Sequence, residues 1–350
     1  MIVNRPRLPI KHMLTIGLLP SALKVGYYRW RGAKMGKGVK IGFGTVILAN
    51  DIEIGDGTTI NMFTSIICEK LKVGKRTNIR PLVLIDAQEV SIGNDATISE
   101  VTLIRTMIPS KQSKIVLHDR VHIFPFTVID PTRNVEIGEE SCVGHGASIY
   151  THSSYKSKLD GYPVEFGEVN IGKGVWLSSG IFINQSVSIG DEAVIGTGTV
   201  ISRDIPPGLL VASSPARLIK SKDLFVTNVT EQEKFAILVE ILDEFCQYLC
   251  DFAEFTWQRT GSDAQPNWAL ASHNKRNRYR IELIRTHSED TNPSISVILG
   301  EIPNDVREKW DNEKRNWFSI GSRCCSENLN NLGEELREYF KRYGIYFARP

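Results

Sequence analysis

His152 heads the segment Thr151-His152-Ser153-Ser154, at the start of a long polar stretch. An imidazole titrates near neutral pH, so a histidine there can take a proton from an acceptor hydroxyl or amine as a general base. The competing reading is a loop histidine that only packs or meets solvent. His145, in Val143-Gly144-His145-Gly146, is a second candidate for contact with an acceptor; as a residue between glycines it also suits a plain polar corner. His118 and His122 stand where no glycine follows the aliphatic and carry a weaker signal. Asp130-Pro131 precedes both candidate histidines, and Asp-Pro favours a turn. The six cysteines, Cys68, Cys142, Cys246, Cys250, Cys324 and Cys325, contain no CxxC pair, so no zinc ribbon or redox motif is indicated. Reduced thiols in a cytoplasmic protein are the expectation.

A repeat must position these residues. Ile54-Gly55, Val73-Gly74 and Ile92-Gly93 recur every 19 residues. Each begins a trio of aliphatic residues six apart: Ile54, Ile60, Ile66; Val73, Ile79, Ile85; Ile92, Ile98, Ile104. The hexads resume at Leu117 and Ile137 and end in the run Ile171, Leu177, Ile183, Ile189, Ile195, Ile201. A period of six fits neither an amphipathic helix nor an alternating strand. It fits a three-sided solenoid of about eight coils, in which each hexad makes one strand and one corner. Residues 105–116 and 150–170 interrupt the count and must leave the solenoid as loops. Long loops on rigid scaffolds often carry function, and the second holds His152.

Val169 to Ile219 reads VNIGKGVWLSSGIFINQSVSIGDEAVIGTGTVISRDIPPGLLVASSPARLI. This stretch resembles the hexapeptide-repeat acyltransferases, which include galactoside and maltose acetyltransferases and polysaccharide O-acetyltransferases. The resemblance implies a left-handed parallel β-helix, a homotrimer with active sites between subunits, and acetyl-CoA as acyl donor with no metal. His152 would be the base, although it precedes the family's VW segment at a somewhat different spacing. Trp176, Ser178, Ser179 and Thr197 would line the pantetheine channel, with Arg203 and Arg217 meeting phosphates through charge-assisted hydrogen bonds. Ser213 replaces the usual glycine of A-G-x-P-A-R. Asp130, His145 and Tyr162 are candidate acceptor contacts, with Tyr155, Lys156, Lys158 and Asp160 in the same loop. The acceptor implied is a sugar, sugar nucleotide or lipid-linked saccharide, in surface polysaccharide biosynthesis.

Two alternatives remain on the residues. A γ-carbonic-anhydrase-like metal lyase shares the fold and a G-H-x-x-x-x-H pattern; Gly144-His145 begins it, but Tyr150 holds the second histidine's place. A non-catalytic trimeric scaffold is the other.

The domains expected are a helical cap segment 1–34, a β-helix 35–220 and a small α+β domain 221–350. Thr230-x-x-Glu233 is a capping box that opens an apolar-faced helix, three strands follow (279–285, 294–299, 317–322), and a last helix runs 331–343 to Gly344. Gly261 to Arg278 reads as a polar stretch, and Lys275-Arg276-Asn277-Arg278 as a solvated loop. The net charge of +2 is too balanced for a nucleic-acid partner. Met13 to Leu23 is apolar but too short to span a bilayer. With the basic, aromatic stretch after it, the segment reads as a cap on the solenoid or as a peripheral contact with anionic lipid, which would place the protein at the inner face of the membrane.

Overall fold

The structure is a computed structural model that describes residues 9–106, 110–153, 157–272, 278–285 and 294–349. Tyr155, Lys156 and the cluster Lys275-Arg276-Asn277 lie outside the described residues. The chain divides into two compact units, residues 1–227 and 228–350.

The first unit is a parallel β-helix, three-sided as the hexads predict and left-handed as the resemblance implies. Three parallel sheets form its faces. The first face runs from Lys34–Met35 to Val187–Ile189, the second from Lys40–Ile41 to Val194–Ile195, and the third from Val46–Leu48 to Val200–Ile201. Each face takes one strand from each of eight coils, and the hairpin Leu209–Ala212 and Arg217–Ser221 extends the second face. Equivalent hexad residues stack in register: Ile79 on Ile98 and Ile98 on Ile123, all fully buried. Burying one such side chain contributes about 1.5–3 kcal/mol, so the column supplies most of the unit's stability.

The glycine after the aliphatic is explained by contact between coils. A Cβ on Gly74 would sit 2.5 Å from the carbonyl carbon of Gly93, and one on Gly55 would sit 2.6 Å from the amide of Lys75. Buried threonines join the coils beside it: Thr77 Oγ1 donates to Gly93 O at 2.6 Å, and the Thr77 amide donates to Thr58 Oγ1 at 3.2 Å. The threonines are satisfied only because the coils stack in this register.

The first coil has no coil before it, so its strands would present unpaired amides at an open end. The helix Ser21–Trp30 lies across that end. Ser21 Oγ accepts from the Ile41 amide at 2.9 Å, Tyr28 Oη accepts from the Ile47 amide at 2.8 Å, and the Lys24 ammonium donates to Gly42 O. Val25 and Tyr28 join the apolar column.

The second unit opens with the helix Glu231–Ala253, whose capping box has both hydrogen bonds formed. Its buried face, including Leu238, Leu242 and Phe245, packs on a six-stranded mixed sheet. Strands Arg278–Ile284, Ile295–Ile298 and Trp317–Ser319 match the predicted three within a few residues, and the last helix runs Asn331–Phe340 before a 3₁₀ turn that ends at Gly344. The polar reading of 261–278 is corrected: Phe255–Ser262 and Gln265–Ser272 form an antiparallel hairpin. The outer strand is mostly solvent-exposed, so it lacks the apolar alternation that would have marked it. The helix Asn304–Asn312, buried through Val306 and Trp310, also went unread, because two apolar residues four apart are a weak signal.

Candidate active site

Two edges of the prism carry the candidate residues. At the edge between the third and first faces, the strand Val128–Asp130 leaves its coil and delivers Asp130 to a buried position. Asp130 Oδ1 accepts from the Thr132 amide at 3.0 Å and from Thr132 Oγ1 at 2.7 Å. Its Oδ2 is buried without a hydrogen-bond partner and faces His152 Nδ1, likewise buried and unpartnered, at 3.5 Å. His152 reaches it from the next coil, because Thr151 is anchored: its Oγ1 donates to Asp130 O at 2.8 Å and accepts from the Arg133 amide at 2.9 Å. Asp130, expected to contact an acceptor, is only 2% exposed and faces His152.

The long loop returns over this pair. His152–Ser153 pairs antiparallel with Glu165–Phe166, which sets Phe166 opposite His152. The two rings stack at 5.9 Å with an interplanar angle of 17°, and the Arg133 guanidinium lies 4.8 Å from the Phe166 centroid. The sequence carried no mark of Phe166 or Arg133 as site residues, since only the register across the loop brings them to the imidazole. With Nδ1 turned inward to the carboxylate, Nε2 is the ring nitrogen left to meet a substrate. A carboxylate behind Nδ1 fixes that tautomer and stabilises the imidazolium formed when Nε2 takes a proton.

The edge between the second and third faces carries the other set. His145, Ser179 and Thr197 occupy successive corners: the Gly180 amide donates to His145 O at 2.8 Å and the Gly198 amide to Ser179 O at 3.0 Å. The following residues, Gly146, Gly180 and Gly198, all adopt left-handed φ, and a Cβ on any of them would find nothing within 4 Å. In earlier coils the same corner position holds Phe63, Leu82, Val101 and Phe126, also at positive φ and all exposed. The edge thus changes at the sixth coil from bulky apolar side chains to bare backbone. His145 packs edge-on against Phe126, ring centroids 5.2 Å apart, at this transition. Trp176 lies 56% exposed on the second face beside the slim corners, and Arg217 on the terminal hairpin pairs with Ala212, which a Cβ on Gly196 would touch.

The expected donor set is not brought to one place. Arg203 follows the third-face strand Val200–Ile201, so it stands on the edge of His152 and not with Ser178, Ser179 and Thr197. Tyr162 is half-exposed in the returning loop, after the 3₁₀ turn Lys158–Asp160. His118 pairs with Glu136 at 2.7 Å and His122 stacks on Phe124 at 4.4 Å. Tyr150, at the second position of the histidine pattern, stacks on Phe182. Among the described residues there is no group of three or more His, Cys, Asp or Glu side chains placed to hold a metal. Among the described residues the six cysteines form no disulfide.

No family model matches the chain. In sequence it is similar to the galactoside O-acetyltransferase of Escherichia coli K12, 33% identical over 97 residues that make up 25% of this chain and 48% of that protein. A putative acetyltransferase of Schizosaccharomyces pombe is 34% identical over 90 residues, 25% of this chain and 42% of that protein. The chain spans less than half the length of these curated relatives. Among solved structures it resembles LpxA, a UDP-N-acetylglucosamine acyltransferase from Bacteroides fragilis 9343, with a TM-score of 0.45 and 17% identity over 63% of this chain and 81% of that one.

Proposed function

We propose that the protein transfers an acetyl group from acetyl-CoA to a hydroxyl or amine of a sugar, with His152 as general base and Asp130 as the group that orients it. The observation that carries this reading is the buried, unpartnered Asp130 oxygen aimed at His152 Nδ1. Burying a carboxylate oxygen without a partner is costly. A small closure of the 3.5 Å gap gives it one and turns Nε2 outward as a base. The names of the similar acetyltransferases support the same chemistry.

In the reaction, Nε2 takes the proton of the acceptor O–H or N–H as that atom attacks the thioester carbonyl. The carbon–sulfur bond then breaks, and the imidazolium returns its proton to the departing thiolate. The Asp130 carboxyl, 3.5 Å from Nδ1, balances the transient imidazolium. The slim corners at Ser179-Gly180 and Thr197-Gly198 suit a pantetheine arm, because small residues let the amides of a long thin ligand approach backbone N–H and C=O groups. Trp176 and Arg217 stand beside that track, and Arg203 on the other edge.

The protein works as a homotrimer in this reading. On one chain the base and the slim corners occupy different edges, at opposite ends of the strand Ser148–Tyr150. A second copy that sets its slim edge against the His152 edge of the first would complete the site. The row Phe63, Leu82, Val101 and Phe126 gives copies a surface to join through. Each of these non-glycine residues adopts a left-handed backbone, at a cost of about 1–2 kcal/mol.

The deciding experiment incubates the full chain with acetyl-CoA and a panel of mono- and oligosaccharides and sugar nucleotides, reading thiol release and acceptor mass. A gain of 42 mass units on a sugar is the expected result. Thiol release that no acceptor stimulates and that His152→Ala leaves unchanged would count against the proposal.

A further inference from the structure

The first fifty residues hold nine lysines and arginines and no aspartate or glutamate; Asp51 is the first acidic side chain. The other 300 residues hold 33 basic against 40 acidic residues, so the small net charge of the whole chain hides a strongly cationic end. The fold concentrates the described ones, Lys11, Lys24, Arg29, Arg31, Lys34, Lys37 and Lys40, at one end of the prism. The helix Ser21–Trp30 lies across the open first coil, pinned by Ser21, Lys24 and Tyr28 on its inner face. Its outer face is thereby fixed as well, and there stand Leu23, 59% exposed, and Trp30, 84% exposed, seven residues apart on one side of the helix.

The segment before it has the same character. Ile10 and Leu14 are more than half exposed and Leu18 nearly so. The Gly44 amide donates to Gly17 O at 2.7 Å, which sets the 3₁₀ turn Ile16–Leu18 against the corner that carries exposed Phe43. Lys11, Arg29, Arg31, Lys34, Lys37 and Lys40 are exposed among these apolar groups. Arg29 donates to the carbonyls of Met35 and Gly36, and Lys34 approaches Glu53 only to 3.9 Å, with both side chains solvated.

From this end of the molecule we infer a docking surface for an anionic lipid bilayer, on which the protein lies without crossing. Apolar side chains alone would suit a second protein copy, and a basic face alone would be a solvated one. Their mixture, in a segment with no acidic residue of its own and only Glu53 and Asp56 of the next coil beside it, matches an interface with an apolar interior and anionic headgroups. Trp30 suits the headgroup boundary, since indole carries an apolar body and one N–H. Among the described residues no helix is long and apolar enough to cross a membrane. The inference is independent of the proposed chemistry, and it implies that an acceptor held at a bilayer would be met at close range.

The test is cosedimentation of the full-length protein with vesicles of phosphatidylcholine alone and of phosphatidylcholine with 30% phosphatidylglycerol. At low salt, partitioning onto the anionic vesicles should exceed that onto neutral ones by about tenfold or more and fall steeply at 0.5 M salt. The double variant Leu23→Ser, Trp30→Ser and the charge variant Lys37→Glu, Lys40→Glu should each lower it severalfold, with melting temperature and acetyl transfer to a soluble acceptor unchanged. Equal partitioning onto both vesicle types overturns the inference. So does retained binding by both variants, or a change in oligomeric state in Leu23→Ser, Trp30→Ser without a change in vesicle binding. Loss of acetyl transfer in His152→Ala with vesicle binding intact separates this surface from the active site.

Discussion

Asp130 Oδ2 and His152 Nδ1 face each other at 3.5 Å across two consecutive coils, both atoms buried and neither hydrogen-bonded elsewhere. The carboxylate is held from behind by the Thr132 amide and hydroxyl, so it has one oxygen for structure and one for the imidazole.

Removing the base should be the most damaging change. His152→Ala is expected to lower kcat by about 10²–10⁴-fold with acetyl-CoA affinity kept, because general-base catalysis contributes on that scale. Steady-state kinetics beside a calorimetric titration with coenzyme A separates the two effects. Equal losses in turnover and in donor binding would point to a packing role for the histidine.

Asp130→Asn keeps the shape of the side chain and removes its charge. It should lower kcat by at least tenfold with a smaller change in KM, since the imidazolium loses its counter-charge and the amide can present its N–H to Nδ1. Because the Thr132 contacts can survive, thermal stability should change little. A variant with full turnover would remove Asp130 from the mechanism.

The slim corners make a steric prediction. Ser179→Trp should weaken coenzyme A binding by tenfold or more, while circular dichroism and melting stay near wild type, because Ser179 is exposed. Gly180→Ala is a poorer probe, since its φ of +67° strains any side chain whatever the ligand does. Unchanged affinity in Ser179→Trp would move the donor elsewhere.

Assembly can be probed at the apolar corners. Leu82→Glu combined with Val101→Glu should convert a trimer to monomers in light scattering, since both side chains are about half exposed on the edge assigned to subunit contact. Turnover should fall with the trimer if the site is shared. Persistence of the trimer would place the contact on another edge.

Column packing gives a stability control. Ile123→Ala, fully buried between Ile98 and Val143, should cost about 2–5 kcal/mol in denaturant unfolding and spare no region of the β-helix. A loss under 1 kcal/mol would mean that the column tolerates cavities.

The hexads encode much of the first unit. A period of six that repeats for eight coils leaves few foldings open, because each aliphatic must stack on its counterpart and each interruption must leave as a loop. His152 was legible for the same reason: it heads the longest interruption. In the second unit the capped helix was legible from one local motif, while the hairpin 255–272 was not, because its outer strand buries little and so carries no period.

What the chain by itself determined, then, is the scaffold and the residue type able to move a proton. Tertiary structure alone decided the partners of that residue. Asp130 lies 22 positions earlier, and Phe166 arrives through a loop whose register no local pattern encodes. Side chains separated by a coil or a loop become neighbours only when the column has closed. For that reason Asp130 reads as an acceptor contact along the sequence and stands behind the histidine in space.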